Sequence, residues 1–321
     1  MSSFDDHGWA HLSRGSFAGI PVRPVAAIGD ARVAILGAPI DYGTTYRPGT
    51  RFGPRAIRHT DYLPFDGRRP HISTGIDALQ VLGAVDVGDV DLLGSPDEQI
   101  ARLADTVETL ARAGAIPVIL GGDHSITFPN ATGVARVYGA GDVALVHFDA
   151  HADTGEAPGP LYSHGAPMRS LIESGAVPGH RFAQIGLRGY WPGPETLAWM
   201  RDQEIHSYFM TEIAEQGLDL VIDHALADVA DAAAGIFLSI DIDVVDPGMA
   251  PGTGTPEPGG LTSRQLLDAV RRIARETNIV GADVVEVSPP YDGPGEITAF
   301  LASRVVLEIL NGIAERVTDT S

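Results

Sequence analysis

Cysteine is absent from the 321 residues of this chain. Its absence excludes disulfide bonds and every metal site built on thiolates. A bound metal ion would therefore need histidine and carboxylate ligands. The sequence also has no internal repeat and no low-complexity linker. We therefore expect a single domain over residues 1–321, in which residues 1–30 form an N-terminal arm.

Positive charge is scarce, because 42 Asp and Glu residues face 22 Lys and Arg residues and the net charge is −20. Such a surface repels phosphate groups, so we expect no nucleic acid and no membrane as a partner. The first residues lack the basic and apolar segments of a targeting signal. No apolar run approaches the length that crosses a bilayer. We expect a soluble, cytoplasmic protein.

Short apolar runs alternate with amphipathic segments along the chain. Strands are predicted over residues 32–36, 81–87, 116–120, 143–148, 182–187, 205–209, 235–240 and 279–287. Helices are predicted over residues 55–59, 96–113, about 126–138, 167–174, 195–203, 212–231, 261–276 and 299–317. This alternation is typical of a three-layer α/β/α fold with a mainly parallel central sheet. In such folds the ligand lies beyond the carboxyl ends of the strands.

The predicted strand 143–148 runs into the stretch His-Phe-Asp-Ala-His-Ala-Asp at 147–153. If the stretch stays extended, Asp149, His151 and Asp153 point in one direction because side chains alternate along a strand. Two close carboxylates repel each other, and a divalent cation would neutralise them. We therefore predict that this row binds metal. His147 lies deeper in the strand and is predicted to be a hydrogen-bonded core residue rather than a ligand.

Three further strand ends carry residues of the same chemical kinds. His124 follows strand 116–120, Asp241 and Asp243 follow strand 235–240, and Glu286 follows the last strand. Four aspartates and two histidines are enough to hold two divalent ions with some carboxylates shared, and such ligands favour hard ions such as Mn²⁺. Asp123 points away from His124 in an extended segment, and we expect it to fix the loop.

Several motifs resemble those of the ureohydrolases, the family that includes arginase and agmatinase. They are Gly-Gly-Asp-His-Ser at 121–125, Asp-Ala-His-Ala-Asp at 149–153 and Ser-Ile-Asp-Ile-Asp-Val-Val-Asp-Pro at 239–247. Further matches lie at 45–54, 163–167, 251–261 and 286–289. The details are similar to the agmatinase branch, which includes guanidino-acid hydrolases and proclavaminate amidinohydrolase.

The resemblance implies an arginase-like fold with two Mn²⁺ ions per subunit. It implies that one ion is held by His124, Asp149, Asp153 and Asp241, and the other by His151, Asp149, Asp241 and Asp243. It further implies hydrolysis of a guanidino group to urea and an amine, and a homotrimer or homohexamer. The arm at residues 1–30 is a candidate contact segment between subunits.

The resemblance implies catalytic roles for three residues. Glu286 matches the residue that pairs with the planar guanidinium. His164 matches the proton-shuttle histidine, and imidazole titrates in the range that protonation of a leaving amine requires. Asp153 is expected to hydrogen-bond the hydroxide nucleophile as well as to bind metal.

The sequence leaves open whether the tail of the guanidino substrate is a cation or a carboxylate. Agmatine, which would give putrescine, is the first candidate, and Glu156 in the loop 154–163 would suit its ammonium group. The alternative is a guanidino acid such as 4-guanidinobutyrate, 3-guanidinopropionate or a proclavaminate-type substrate. Arg47 and Arg188 are candidates to bind its carboxylate. A third hypothesis, a non-catalytic metal-binding relative, is disfavoured because all six ligands are present together with Glu286 and His164.

Overall fold

A computed structural model describes residues 15–156 and 163–319. Its centre is an eight-stranded sheet in the order β2-β1-β3-β8-β7-β4-β5-β6, in which every neighbouring pair is parallel. The strands are β1 (Val33–Ala38), β2 (Val85–Asp89), β3 (Ile116–Gly121), β4 (Val143–Phe148), β5 (Phe182–Leu187), β6 (His206–Phe209), β7 (Gly235–Asp241) and β8 (Ile279–Val285). The predicted parallel sheet is confirmed.

Helices cover both faces of the sheet. In chain order they are α1 (Gly53–His59), α2 (Ala78–Val81), α3 (Pro96–Arg112), α4 (Thr127–Tyr138), α5 (Pro167–Glu173), α6 (Pro194–Asp202), α7 (Met210–Gln216), α8 (Leu218–Asp228), α9 (Ser263–Glu276) and α10 (Ile297–Asp319). One apolar core packs α8, α9 and α10 against the sheet, and a second packs α3, α4 and α5 on the opposite face. The central strands are buried on both faces, which explains their continuous apolar runs.

Local sequence explains most helix boundaries. Ser95 and Glu98 form a capping box at the start of α3, and Thr262 and Gln265 form another at the start of α9. Each box satisfies backbone N–H groups that the first helical turn leaves unpaired.

The sequence-based boundaries were wrong at two places. The expected strand 81–87 begins only at Val85, because residues 78–81 form the short helix α2. The long helix expected over 212–231 is two helices, α7 and α8, separated by Gly217 at φ +86°. That left-handed backbone conformation is available to glycine at little cost and ends a helix.

Helix α10 corrects the expectation that no segment reaches membrane-spanning length. Its 23 residues are long and apolar enough to cross a membrane by length and composition alone. Within the protein, most of the helix is buried. The helix packs against α9 and the sheet, so its apolar character matches its place in the core.

The N-terminal segment contacts strand β2 through Phe17 and Val22. The predicted arm at 1–30 therefore lies against the body of the protein over its described part, and residues 1–14 fall outside the described range. Phe17 and Ile20 are buried in the core. The backbone N–H of Phe17 donates to Asp86 Oδ2 at 2.8 Å. Arg58 on α1 binds the same carboxylate through its Nε at 2.8 Å and its Nη2 at 3.0 Å.

The buried pair of Arg58 and Asp86 generates a stability prediction. Arg58→Met should leave Asp86 charged and without its counter-ion in the core, at a cost of about 3–5 kcal/mol of unfolding free energy. The control is Arg112→Met, which removes an ion pair with Glu108 from an exposed helix surface and should cost under about 0.5 kcal/mol. Urea unfolding of both variants measures the difference. Similar midpoints for the two variants would contradict the prediction.

Candidate metal and active site

The candidate ligands lie where four neighbouring central strands end. Strands β3, β8, β7 and β4 are adjacent in the sheet, and their carboxyl ends open on the same edge. The loop after β3 supplies His124, and the segment after β4 supplies Asp149, His151 and Asp153. Asp241 ends β7, and Glu286 directly follows β8. Segments far apart in sequence are therefore brought together by strand order alone.

His124 is surrounded by three carboxylates. Its Nδ1 lies 3.0 Å from Asp149 Oδ2, 3.0 Å from Asp153 Oδ2 and 3.1 Å from Asp241 Oδ2. All four side chains are buried. They are the four residues predicted to hold one ion.

His151 lies in a second, adjacent group. Its Nδ1 is 3.1 Å from Asp243 Oδ2 and 3.4 Å from Asp149 Oδ1. Asp149 therefore belongs to both groups and uses a different oxygen in each. A carboxylate that is shared in this way can bridge two cations, as predicted for Asp149. His151, Asp149 and Asp243 are arranged closely enough to bind one ion together.

The extended row expected for 147–153 does not persist. Strand β4 ends at Phe148, and Asp153 has a left-handed backbone with φ +52°. The aspartates and His151 therefore meet through an irregular segment rather than through strand alternation. His147 Nε2 lies 2.8 Å from Asp149 Oδ2, and Gln184 Nε2 lies 3.2 Å from His147 Nδ1. His147 is thus a buried, hydrogen-bonded histidine, as predicted. It also lies close enough to His124, Asp149 and Asp153 to share an ion with them, so its exclusion from the ligands stays a prediction.

The electrostatics of the cluster fit a divalent cation. Burial raises the pKa of Asp241, and its neighbours Asp243 and Asp149 raise it further, to well above the usual value. Burial also raises the pKa of Asp243. The pKa of His124 is raised as well: burial lowers it, but hydrogen bonds with the carboxylates bring it well above the ordinary value. Carboxylate and imidazole donors that need positive charge nearby suit hard or borderline divalent ions.

Glu286 holds one oxygen fixed and leaves the other without a partner. Its Oε1 accepts a hydrogen bond from the backbone N–H of His124 at 2.9 Å and lies 3.0 Å from His164 Nδ1. Its Oε2 is buried and has no hydrogen-bond partner. The backbone of Glu286 is left-handed, with φ +62°, and its N–H donates to the Gly122 carbonyl at 2.9 Å. A buried orphan oxygen on a strained residue is typical of a binding position.

His164 contacts Glu286 on one side of its ring and Thr45 on the other. Its Nε2 lies 2.7 Å from Thr45 Oγ1. Burial lowers the pKa of His164, but the charge and hydrogen bond of Glu286 outweigh burial and bring the pKa to about 9. These contacts favour the protonated imidazole, which can supply a proton.

A cavity of about 500 Å³ opens onto these groups and is lined by His151, Asp153, His164, Asp241, Thr45 and Trp191 among others. Glu156 also lines it, with a side chain that is 88% exposed and lies 3.9 Å from Arg169 Nη1. The loop 154–163 was expected to bind the tail of the substrate. Its residues 157–162 lie outside the described part of the chain.

Two further interpretations from the sequence can now be compared with the geometry. Asp123 fixes the loop as expected, because it accepts hydrogen bonds from the N–H groups of Gly43 and Ser125 at 2.7 and 3.0 Å. Arg188 is not a carboxylate reader, because its guanidinium donates to backbone carbonyls, including those of Asp243 and Glu257 at 2.7 Å each. It braces the segment that carries Asp243.

Thr45 and Trp191 were missed by sequence reasoning. Thr45 stands in the Thr-Tyr-Arg-Pro-Gly stretch that supported the family resemblance, but nothing in that stretch indicates a contact with His164. Trp191 packs against Gly155 and Gly165, where an added Cβ would lie 3.2 and 3.6 Å from its ring. No spacing rule connects these positions.

Comparisons with known proteins agree with this geometry. The sequence model of the Arginase family matches residues 31–311. The mitochondrial agmatinase of Gallus gallus is 40% identical over 296 residues, which cover 91% of this chain and 83% of that protein. The guanidinopropionase of Pseudomonas aeruginosa is 39% identical over 313 residues, which cover 93% of each protein.

A solved structure shows the same architecture. The proclavaminate amidinohydrolase of Streptomyces clavuligerus superposes with a TM-score of 0.84 at 36% sequence identity. The match covers 94% of this chain and 97% of that one.

The shared position of Asp149 generates a prediction about metal content. Asp149→Asn should lose bound metal and activity together, because the amide carries no charge and cannot bridge two cations as a carboxylate does. Metal analysis after equilibration with Mn²⁺ is the measurement. The control is Asp246→Asn, which lies in the same aspartate-rich motif but accepts from the N–H groups of Gly248 and Gly259 and should keep its metal. Full metal content in Asp149→Asn would refute the bridging role.

Gly254 generates a second prediction, because it stands beside the orphan oxygen of Glu286. A Cβ at this position would lie 3.1 Å from Glu286 Oε2 and 3.3 Å from the Arg47 carbonyl oxygen. Gly254→Ala should therefore narrow the binding position and lower kcat/KM by about 10- to 100-fold, chiefly through KM. Gly295→Ala is the control, since its added methyl group meets nothing within 4 Å. Equal KM values in the two variants would contradict this prediction.

Proposed function

Because the chain belongs to the arginase family, we propose that it is a manganese-dependent amidinohydrolase that releases urea from agmatine. The match to the family confirms the resemblance seen in the motifs and supports a hydrolase that acts on guanidino compounds. The observation that carries the proposal is the unpartnered Oε2 of Glu286, buried beside a cluster of metal-ligand residues and beside His164.

The ligand groups support two manganese ions per subunit. His124, Asp149, Asp153 and Asp241 would hold one ion, and His151, Asp149, Asp241 and Asp243 would hold the other. Two such ions would lower the pKa of a bound water and make hydroxide available near neutral pH. The remaining chemistry falls to side chains of this protein.

Glu286 supports recognition of the planar guanidinium. A guanidinium has N–H groups on every edge and pairs strongly with carboxylate oxygens. The free Oε2 of Glu286 would accept one of these N–H groups, while its Oε1 stays fixed by His124 and His164. This arrangement would orient the guanidinium carbon toward the metal cluster. Asp153, which lines the cavity, would orient the nucleophile in addition to binding metal.

His164 supports protonation of the leaving amine. A neutral amine leaves more easily than an amide anion, so the departing nitrogen must receive a proton. The imidazolium of His164 lies at the cavity wall within hydrogen-bond reach of Glu286. It would therefore be close to a guanidinium that Glu286 binds.

The charge of the cavity favours a substrate with a cationic tail. The bound ions would neutralise Asp153 and Asp241. Among the described residues that line the cavity, Glu156 is then the remaining carboxylate, and there is no Lys or Arg. The ammonium group of agmatine would be attracted to such a wall, whereas a carboxylate would be repelled. Glu156 at the mouth is the candidate partner of that ammonium group.

A guanidino acid is the second candidate substrate. The guanidinopropionase relative is nearly as similar as the agmatinase relative. Arg47 is a half-buried cation whose guanidinium packs against the rings of Tyr46 and Tyr291 at 5.0 and 5.3 Å. No carboxylate pairs with Arg47 among the described residues, so it could receive one from 4-guanidinobutyrate, 3-guanidinopropionate or a proclavaminate-type substrate.

Assembly, domain count and location stay predictions. We propose a single domain over residues 1–321 and a homotrimer or homohexamer. The single continuous sheet supports the first. Exposed apolar side chains such as Ile72 and Tyr62 support the second. A cytoplasmic location is kept as an expectation, and the relative from Gallus gallus is described as mitochondrial.

A urea-release assay on a guanidino panel tests the proposal. With the Mn²⁺-loaded protein, kcat/KM should be higher for agmatine than for 4-guanidinobutyrate by up to about 5-fold, since an ion pair with an exposed carboxylate such as Glu156 contributes about 0.2–1 kcal/mol. Glu156→Gln should reduce this preference and leave urea release from the guanidino acids unchanged. A preference for 4-guanidinobutyrate or 3-guanidinopropionate would favour the second candidate. No urea from any member of the panel would refute the amidinohydrolase function.

A further inference from the structure

The imidazole of His164 is held at both of its nitrogen atoms. Nδ1 lies 3.0 Å from Glu286 Oε1, on the side of the guanidinium position. Nε2 lies 2.7 Å from Thr45 Oγ1 and accepts from the backbone N–H of Thr45 at 3.2 Å. The ring itself is almost fully buried, with 7% exposure. A proton that leaves Nε2 therefore meets Thr45 first.

Thr45 and His164 both line the cavity, and Thr45 is the more exposed of the two. Its loop is anchored to the rest of the site, because Gly43 donates its N–H to Asp123 Oδ2 at 2.7 Å and accepts from the His164 N–H at 3.2 Å. A Cβ on Gly43 would lie 2.6 Å from the backbone nitrogen of His164, so the two segments are in close contact. The position of the hydroxyl relative to the ring is therefore set by the fold.

The backbone N–H and the hydroxyl of Thr45 differ in which protonation state of His164 they can pair with. A backbone N–H can only donate, so it pairs with Nε2 only when that nitrogen is unprotonated. A hydroxyl can donate or accept, so it pairs with Nε2 in both states. The hydroxyl can consequently take a proton from Nε2 and pass its own proton onward, while the N–H stabilises the ring once the proton has left.

We propose that Thr45 relays the proton between Nε2 of His164 and the leaving nitrogen of the guanidino substrate. The inference rests on the proposed amidinohydrolase function. In the step, the Nε2–H bond of the imidazolium breaks and its proton binds Thr45 Oγ1. The original Thr45 O–H proton moves to the leaving nitrogen as the bond between that nitrogen and the guanidino carbon breaks. The imidazole ends neutral, the threonine ends unchanged, and the amine gains one proton.

The charges around His164 are consistent with this direction of transfer. Glu286, Asp153 and Asp123 are the charged groups that favour the protonated ring. The Thr45 N–H favours the neutral ring and opposes them. Nε2 therefore has a partner in both states: the Thr45 hydroxyl while it carries the proton, and the Thr45 N–H after it has given the proton up.

Replacement of the hydroxyl by a methyl group tests the relay. Thr45→Val should lower kcat by about 10- to 100-fold, within the range of a lost proton-transfer contribution, and change KM by less than about 3-fold. Thr45→Ser keeps the hydroxyl and should restore kcat to within about 3-fold of the wild-type protein. Urea release from agmatine, or from the guanidino acid on which the wild-type protein is more active, is the readout.

The neighbouring threonine is a matched control. The Thr44 hydroxyl is buried and has no hydrogen-bond partner. Thr44→Val makes the same chemical change one residue away and should leave kcat unchanged within about 2-fold. Thermal unfolding and manganese content should be the same in Thr44→Val, Thr45→Val and the wild-type protein, because no metal-ligand residue is touched.

A double-mutant cycle with His164 distinguishes a relay from an independent contribution. His164→Ala should keep its metal and turn over slowly, and Thr45→Val should then cause no further loss, because both residues act on one proton. A Thr45→Val kcat equal to that of Thr44→Val, a Thr45→Ser variant as slow as Thr45→Val, or an additive double mutant would each overturn the relay. Absence of urea with the wild-type protein would overturn the proposed function as well, so the two failures are distinct.

Discussion

The two oxygens of Asp149 face two different histidines, His124 and His151, inside a buried cluster of carboxylates. Carboxylates that are removed from water and placed side by side repel each other unless positive charge lies between them. The rest of the site follows from this constraint. The donors are carboxylate oxygen and imidazole nitrogen, and the chain has no cysteine, so the cluster suits hard or borderline divalent cations.

The sheet makes this concentration of charge possible. Each of the four central strands ends in a polar segment, and hydrogen bonds between the segments fix them: Asp243 accepts from the Ala150 N–H at 3.1 Å, and Glu286 accepts from the His124 N–H at 2.9 Å. The apolar cores on both faces supply the stability that the cluster lacks. Left-handed backbone at Asp153 and Glu286 indicates where the fold holds strain for the sake of the site.

The proposed chemistry divides into binding and proton transfer around a single carboxylate. Glu286 keeps one oxygen for the guanidinium and holds the ring of His164 with the other. Recognition of the substrate and placement of the proton donor are therefore coupled. Thr45 completes the arrangement on the far side of the ring. Glu156, which lines the cavity, is the residue proposed to bind the substrate tail.

Sequence alone was enough to predict the parallel α/β/α architecture and to name Asp and His residues that the fold gathers at one edge of the sheet. The assignment of these residues as metal ligands stays a prediction. The sequence also placed His147 in the core beside these residues. It could not show that Gly217 divides a helix or that the row after Phe148 bends, since both depend on single backbone angles. Tertiary structure alone decided that Arg188 supports the backbone and that Thr45 meets His164, 119 residues apart. Such contacts arise from strand order and loop packing, which no local pattern records.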